Sequence, residues 1–319
     1  MFYILIMNNP ETMFSPLAAI GRHGTLVMPL GILLGLTFPT LAYLMRPVAE
    51  PVVIVMLALS IYRLDPSSIV GAIRNPWTIL IALLVLLILV PMLVNSVGRL
   101  AGLPDGLLMI LTAWSACPPL VSGPGLALII GLDAAAALLL MVAATGLFAL
   151  TLPAMLSILT SDEIVLDPLE MTVDLVILVG IGTLAGQGLR RFVGPTWAGQ
   201  SGPAADGLLV ILMLVFAITV MGGLHDAWAG ARHRIPLIIM TAFIASIGLQ
   251  LLAVLVFAAI PRPFAGTIAL ANGNRNVAIL LPTMTTAAVD QMWLYLAVVQ
   301  FPIYILPVIS KPLYKRYCD

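Results

Sequence analysis

The 319 residues are 61% apolar and only 9% charged, and the mean hydropathy is +1.14. Soluble globular proteins hold roughly 45–50% apolar and about 25% charged residues, so this composition excludes a water-facing enzyme surface, and it excludes intrinsic disorder, which needs low hydrophobicity. The 14 basic and 14 acidic residues cancel, and no stretch is rich in Lys or Arg, which leaves nucleic-acid binding without an electrostatic footprint. A polytopic membrane protein remains.

The first twenty residues have no basic n-region and no clear cleavage site, and read as a mature terminus rather than a signal peptide. About 20 apolar residues, range roughly 17–25, cross the hydrocarbon core as a helix. On that rule spans are predicted at 25–45, 48–62 (short), 77–97, 107–132 (interrupted), 134–157, 171–189, 207–227, 235–260, 264–287 (interrupted) and 291–309. The expected fold class is therefore an all-α polytopic membrane protein of ten transmembrane helices. The longest connections, 158–170 and 190–206, leave no room for a soluble catalytic or nucleotide-binding domain, and no GxxxxGK(S/T) pattern occurs. Cys117 and Cys318 make neither a disulfide framework nor a metal site, and no cofactor is expected.

Ten spans put both termini on one side of the membrane. With Arg275 set aside, that side holds Arg22, Arg63, Arg74, Arg190, Arg191, Arg262, Lys311, Lys315 and Arg316, and the other holds Arg46, Arg99, Arg232 and Arg234. Positive loops stay in the cytoplasm, so both termini are expected to be cytoplasmic, in a plasma (inner) membrane. The acidic 158–170 loop, with Asp162, Glu163, Asp167 and Glu170, falls outside, as the count requires.

The two interrupted segments are the fourth and the ninth, one in each half if the halves are 24–157 and 171–309. A five-span unit has odd parity, so its second copy enters the membrane inverted, and paired Gly/Pro-interrupted spans in inverted halves point to the central site of a secondary transporter. The first break runs from Cys117 through Pro118, Pro119, Leu120, Val121, Ser122, Gly123 and Pro124 to Gly125; prolines this dense cannot continue a helix, at about 3 kcal/mol each. The second is Asn272-Gly273-Asn274-Arg275-Asn276. An arginine at mid-membrane depth costs about 2.5 to 3.5 kcal/mol on insertion scales, yet flanks this short cannot each cross roughly 30 Å at about 1.5 Å per residue. Non-helical backbone survives in a bilayer only inside protein or along a cavity. Pro119, Val121, Ser122, Gly123, Gly125, Asn272, Asn274 and Asn276 are therefore the candidate solute-binding residues, around half-helix ends that carry partial charge.

With these breaks the chain resembles the bile acid:sodium symporter family over about 24–309. The resemblance implies two inverted five-helix repeats, with broken helices 4 and 9 crossing beside a panel of helices 1, 2, 6 and 7 and a core of helices 3–5 and 8–10. Cys117, Pro118 and Asp133 stand at the spacing of the family's helix-4 motif, Gly273 and Asn276 match its helix-9 motif, and Pro91 matches a helix-3 proline. The family's sodium ligands do not carry over. Their positions fall on Leu86, Gly123, Pro124, Ala137, Met141, Ala271 and Arg275, and a hard cation needs several oxygen ligands. No metal site is expected.

Arg275 reads as a surrogate for a bound cation, its five donors fanned over carbonyls at the helix ends. It also reads as the partner of Asp133 or Asp290, or as a direct ligand for an anion. Pro91, Pro302 and Pro307 read as kinks, and Asn95 and Gln187 as interfacial. His225 and Asp226 end the seventh span, where a proton-coupling role is a weaker reading. Ser122-Gly123 lacks the glycine that an intramembrane serine protease needs two residues before its serine, since Leu120 stands there, so no enzyme is expected. The functional expectation is a secondary, symporter-like transporter of a small organic solute, an organic anion, not coupled to sodium at the family's sites, with the lipid bilayer and the solute as its partners and no protein partner. The alternatives are a sodium-coupled symporter using other ligands and a non-transporting membrane solute sensor.

Overall fold

The computed structural model describes residues 15–63, 76–160, 167–230, 232–283 and 289–318. Apolar stretches cut by Pro and Gly become fifteen α-helices among these residues. The first half contains α1 (Ser15–Arg22), α2 (Gly24–Thr37), α3 (Pro39–Met45), α4 (Ala49–Tyr62), α5 (Pro76–Leu84), α6 (Val90–Leu100), α7 (Asp105–Ala116), α8 (Gly123–Ile130) and α9 (Ala134–Leu159). The second contains α10 (Pro168–Val193), α11 (Pro195–Gln200), α12 (Gly202–Gly230), α13 (Ile235–Val256), α14 (Arg262–Gly273) and α15 (Val289–Cys318). Local chemistry sets their ends. Asp133 caps α9 by accepting from Ala136 N at 2.9 Å, and Asp167 caps α10 by accepting from Leu169 N and Glu170 N, each filling a donor that the first turn leaves open. Arg190 and Arg191 face the negative end of α10.

Seven helical stretches among the described residues are long and apolar enough to cross a membrane: Pro39–Tyr62, Pro76–Leu100, Ala134–Leu159, Pro168–Val193, Gly202–Trp228, Arg232–Val256 and Met292–Cys318. The outward surface is equally apolar, with Phe192 89%, Leu184 77% and Leu255 74% exposed. Side chains of this kind in such number are stable only against lipid. The chain is an all-α, multi-pass membrane protein.

The start of the chain differs from the expected 25–45 and 48–62. Phe38 leaves the helical region (φ −122°, ψ 77°) because the ring of Pro39 disfavours a helical residue before it. The helix restarts at Pro39 and continues through a 3₁₀ turn, Arg46–Val48, to Tyr62. α1 and α2 are bent by 88°. Residues 1–14, and with them most of the supposed mature terminus, lie outside the described residues, as do Arg74, Asp162 and Glu163.

α12 and α15 form the centre: 67% and 78% of their apolar windows are buried, against 28% for α10 and for α13. α12 packs on α1, α2, α3, α4 and α15; α10 packs on α4 and α9; α13 on α14; and α14 on α9 and α15. Two of these contacts use glycine pairs four residues apart. A Cβ at Gly31 would stand 2.6 Å from Leu214 O, and one at Gly35 2.7 Å from Met221 Cβ, both on α12. A Cβ at Gly182 would stand 2.7 Å from Leu57 Cγ, and one at Gly186 2.8 Å from Ile61 Cβ, both on α4. Small residues bring helix backbones together where the hydrophobic effect gives no preference for helix over lipid. Gly31→Leu is expected to lower stability by about 1–3 kcal/mol, the usual range for overpacking. Leucine at the exposed Gly188, where a Cβ meets nothing, is expected to be neutral; thermal unfolding in detergent compares the two.

Candidate functional site

The two breaks meet. α7 stops at Ala116, and Pro118, Pro119 and Leu120 run extended. α14 stops at Gly273, and Asn274–Asn276 run alongside in the opposite direction. Leu120 N donates to Asn274 O at 2.9 Å, Asn276 N donates to Pro118 O at 2.8 Å, and Pro119 and Arg275 form an isolated antiparallel bridge. Backbone that cannot be helical thus satisfies its polar groups on the other break, as burial away from water demands.

The breaks are shorter than the sequence motifs. Gly123, Pro124 and Gly125 form the first turn of α8, where a proline displaces no hydrogen bond. Asn272 and Gly273 belong to the last turn of α14. The expectation that 118–125 and 272–276 are non-helical throughout is corrected to residues 117–122 and 274–276.

Arg275 is wholly buried and lies among the carbonyls at the ends of two half-helices. Its Nε donates to Asn272 O and its Nη2 to Asn272 Oδ1, both at 2.9 Å. Its Nη1 donates to Cys117 O at 2.9 Å and to Leu86 O at 3.2 Å. The C-terminal ends of α7 and α14, both negative poles, converge on one guanidinium. No carboxylate bonds to it among the described residues; Asp133 is occupied in capping α9, and the side chain of Asp290 lies outside them.

The Leu86 carbonyl is an acceptor at the crossing that side-chain reasoning missed. The stretch Val85–Leu89 between α5 and α6 is π-helical, with Val90 N donating back to Val85 O. In that register the donor for Leu86 O would be residue 91. Pro91 has no N–H, so the carbonyl is left open to Arg275. Pro91 is therefore more than the kink expected of it: it presents an acceptor. The signal was a proline inside an apolar span five residues after a position that faces the crossing.

The remaining candidates divide between packing and cavity. Asn272 Nδ2 donates to Ile268 O, and Asn274 Nδ2 donates to Leu270 O, which ties both amides to the last turn of α14. Asn274 Oδ1 and Ser122 Oγ are buried atoms with no hydrogen-bond partner among the described residues. Asn276 and Pro119 contribute backbone at the crossing. Val121, Ser122 and Gly125 line a cavity of about 160 Å³, closed on its far wall by Asp206, Leu209 and Val210 of α12, with Arg22 and Arg63 at its rim. Arg63 pairs with Asp206.

A second cavity, of about 640 Å³, lies toward the other end of α12. Gly223, Asp226 and Ala227 of α12 face Leu107 and Ile110 of α7 and Leu294 and Tyr295 of α15, and Arg234 also lines it. From Asp206 to Asp226 is about 30 Å at roughly 1.5 Å per residue, the thickness of a hydrocarbon core, so the cavities lie at opposite ends of α12; the smaller reaches the first break at Val121 and Ser122, and the larger is lined by α7, α12 and α15 without the break residues. Tyr295 is 1% exposed and meets Trp114 edge-on, centroids 6.4 Å apart. Tyr295 Oη and Trp114 Nε1 are buried without partners among the described residues. Neither residue was a candidate from sequence.

Other polar residues have structural tasks. Asp226 accepts from Tyr43 Oη at 2.7 Å and pairs with Arg46 at 2.9 Å, and His225 Nε2 lies 3.0 Å from Gly35 O. Asn95 is buried within the protein near the end of its span, where it donates to Thr112 Oγ1 and Leu159 O and accepts from Arg99. Ala137, Met141 and Ala271 are buried and supply no oxygen from their side chains. No protein-family model matches the chain, and no curated protein matches it.

Proposed function

We propose that the protein is a secondary transporter of a small organic anion, working by alternating access and without sodium at the crossing. One observation carries the reading: two helices break in the buried interior and bond to each other around Arg275, with a cavity of about 160 Å³ and one of about 640 Å³ toward the two ends of α12. A solute reaching the crossing from either side would meet half-helix ends and polar atoms with no internal partner. Drug-sized ligands occupy cavities of about 300–1,000 Å³, and the larger cavity falls in that range.

The inverted-repeat reading has further support. Counting α1 with α2, α7 with α8, and α14 with its 3₁₀ continuation Val277–Thr283 as one span each brings the seven long helices to ten. Exchanging the first five spans for the last five then maps the α2–α12 contact onto the α10–α4 contact. The glycine pair of α2 maps onto the glycine pair of α10. Arg22 and Arg63 stand at one end of α12, and Arg46 and Arg234 at the other, in agreement with the charge count that puts both termini in the cytoplasm. In this scheme the larger cavity faces outward. Arg275 holds the carbonyls that a bound cation would otherwise neutralise.

The test has two parts. A panel of carboxylates is screened for thermal stabilisation of the purified protein, and the best is radiolabelled for uptake into proteoliposomes with sodium and proton gradients imposed separately. Uptake is expected, and it is expected to be equal in sodium and potassium. Sodium chloride at roughly a hundred millimolar is also expected to stabilise no more than potassium chloride, because without a site the factor RT ln(1 + [L]/Kd) vanishes. Sodium-specific stabilisation would restore the sodium-coupled reading. A stabilising carboxylate that never crosses the membrane would make the protein a sensor.

A further inference from the structure

α13 and the second half of α15 enclose a groove of about 420 Å³ that shares no lining residue with either cavity beside α12. Its walls are Ile247, Leu251 and Val254 of α13 and Leu306, Ile309 and Leu313 of α15. Leu251, Ile309 and Leu313 are each more than half exposed, so the groove opens sideways, onto the surface that meets lipid. Its polar atoms are used within the wall. Tyr314 Oη donates to Gln250 Oε1 at 2.8 Å, and Ser310 Oγ donates to Leu306 O.

One end of the groove is basic. Tyr317 lines it there, and the Arg262 guanidinium lies over the Tyr317 ring, 6.0 Å from its centroid. Arg262 is the first residue of α14, is exposed, and makes no ion pair among the described residues. The last turns of α15 add Lys311, Lys315 and Arg316. Asp133, whose backbone N donates to Thr267 of α14, spends its Oδ1 on the α9 cap. An apolar slot facing the bilayer with cations at one end complements one kind of molecule, a lipid whose headgroup is negative.

We propose that this groove is a binding site for an anionic phospholipid, with an acyl chain along the α13–α15 slot and the phosphate on Arg262. The site bears on the crossing. Gln250, in the groove wall, presses on Gly273, where a Cβ would stand 2.5 Å from Gln250 Nε2 and 2.6 Å from Ser246 O. A chain seated against Gln250 and Tyr314 therefore backs the end of α14, two residues before Arg275. The proposal does not depend on what the protein carries.

The experiment compares phosphatidylglycerol with phosphatidylcholine of identical chains, using thermal unfolding of the purified full-length protein and native mass spectrometry. Phosphatidylglycerol is expected to remain bound preferentially and to stabilise the protein. Arg262→Gln is expected to cut that preference about fivefold, the worth of one basic residue at an anionic surface. Leu251→Trp, which fills the slot, is expected to remove retained lipid of both kinds; if it does not fold, Leu313→Phe serves the same purpose. Inorganic phosphate alone is expected to do nothing. Equal retention of the two lipids by the parent overturns the proposal. So does an unchanged preference in Arg262→Gln, or stabilisation by phosphate alone. A dimer in the native spectra that Leu251→Trp abolishes would also overturn it, because the occupant would then be a second copy of the chain.

Discussion

Arg275→Ala is expected to destabilise the protein by about 3–5 kcal/mol, because it leaves several buried carbonyl acceptors unpaired at about 1–3 kcal/mol each. Four donations end at once: two to Asn272, one to Cys117 O and one to Leu86 O. The Leu86 carbonyl finds no donor at Pro91, the residue that its π-helical register would use. Arg275→Met keeps most of the volume and is expected to lose nearly as much, which separates hydrogen bonding from cavity formation. Arg275→Lys keeps the charge, but a compact ammonium lacks the planar fork that spans three separate peptide groups, so it is expected to fall between parent and Met. Arg275→Gln supplies the residue type that the resemblance implies, without the missing oxygens at Gly123, Ala137 and Ala271, and is expected neither to transport nor to respond to sodium. Thermal unfolding of the four variants beside the parent provides the order. A parent-like midpoint for Arg275→Ala would show that the carbonyl network is dispensable and would end the surrogate-cation reading.

Gly273→Val is expected to cost about 3 kcal/mol, the upper end of the range for overpacking. Its Cβ would stand 2.6 Å from Ser246 O, a backbone atom of α13 that cannot turn aside as a side chain can. Relief requires α14 to move off α13, and that motion drags Asn274 O away from Leu120 N. Gly273→Ala is expected to show a smaller loss of the same sign. Gly123→Ala, whose Cβ meets nothing within 4 Å in the first turn of α8, is expected to fold like the parent. Unfolding midpoints test the stability order, and uptake in proteoliposomes tests whether the paired breaks are needed for transport. Equal midpoints for Gly273→Val and Gly123→Ala would mean that α13 and α14 are not packed as tightly as the backbone places them.

Hydrophobicity and a few breakers were enough to read much of this protein from its residues. Stretches as apolar as 76–100 and 134–159 must be helical in a bilayer, because no other local structure pairs every backbone group within the segment. Pro118, Pro119 and the polar run Asn274–Asn276 interrupt two of these stretches for equally local reasons: a missing donor, a ring clash and the cost of polar groups in lipid. Arg275 stood out by its depth alone. What it bonds to was not legible, because its acceptors are mostly main-chain carbonyls, and every residue type carries the same carbonyl. Only the tertiary structure brings Leu86 O, Cys117 O and Asn272 O to one guanidinium, across more than 180 positions of sequence. The same holds for Tyr295 and Trp114, whose identity says core and whose lack of a partner appears only once their neighbours are placed. It holds for Asn95, whose partners Thr112 Oγ1 and Leu159 O appear only once the helices are packed. Short-range chemistry thus determined where helices run and where they break. Which broken ends meet, and which polar atoms are left open toward a cavity, depends on long-range contacts that no local pattern encodes.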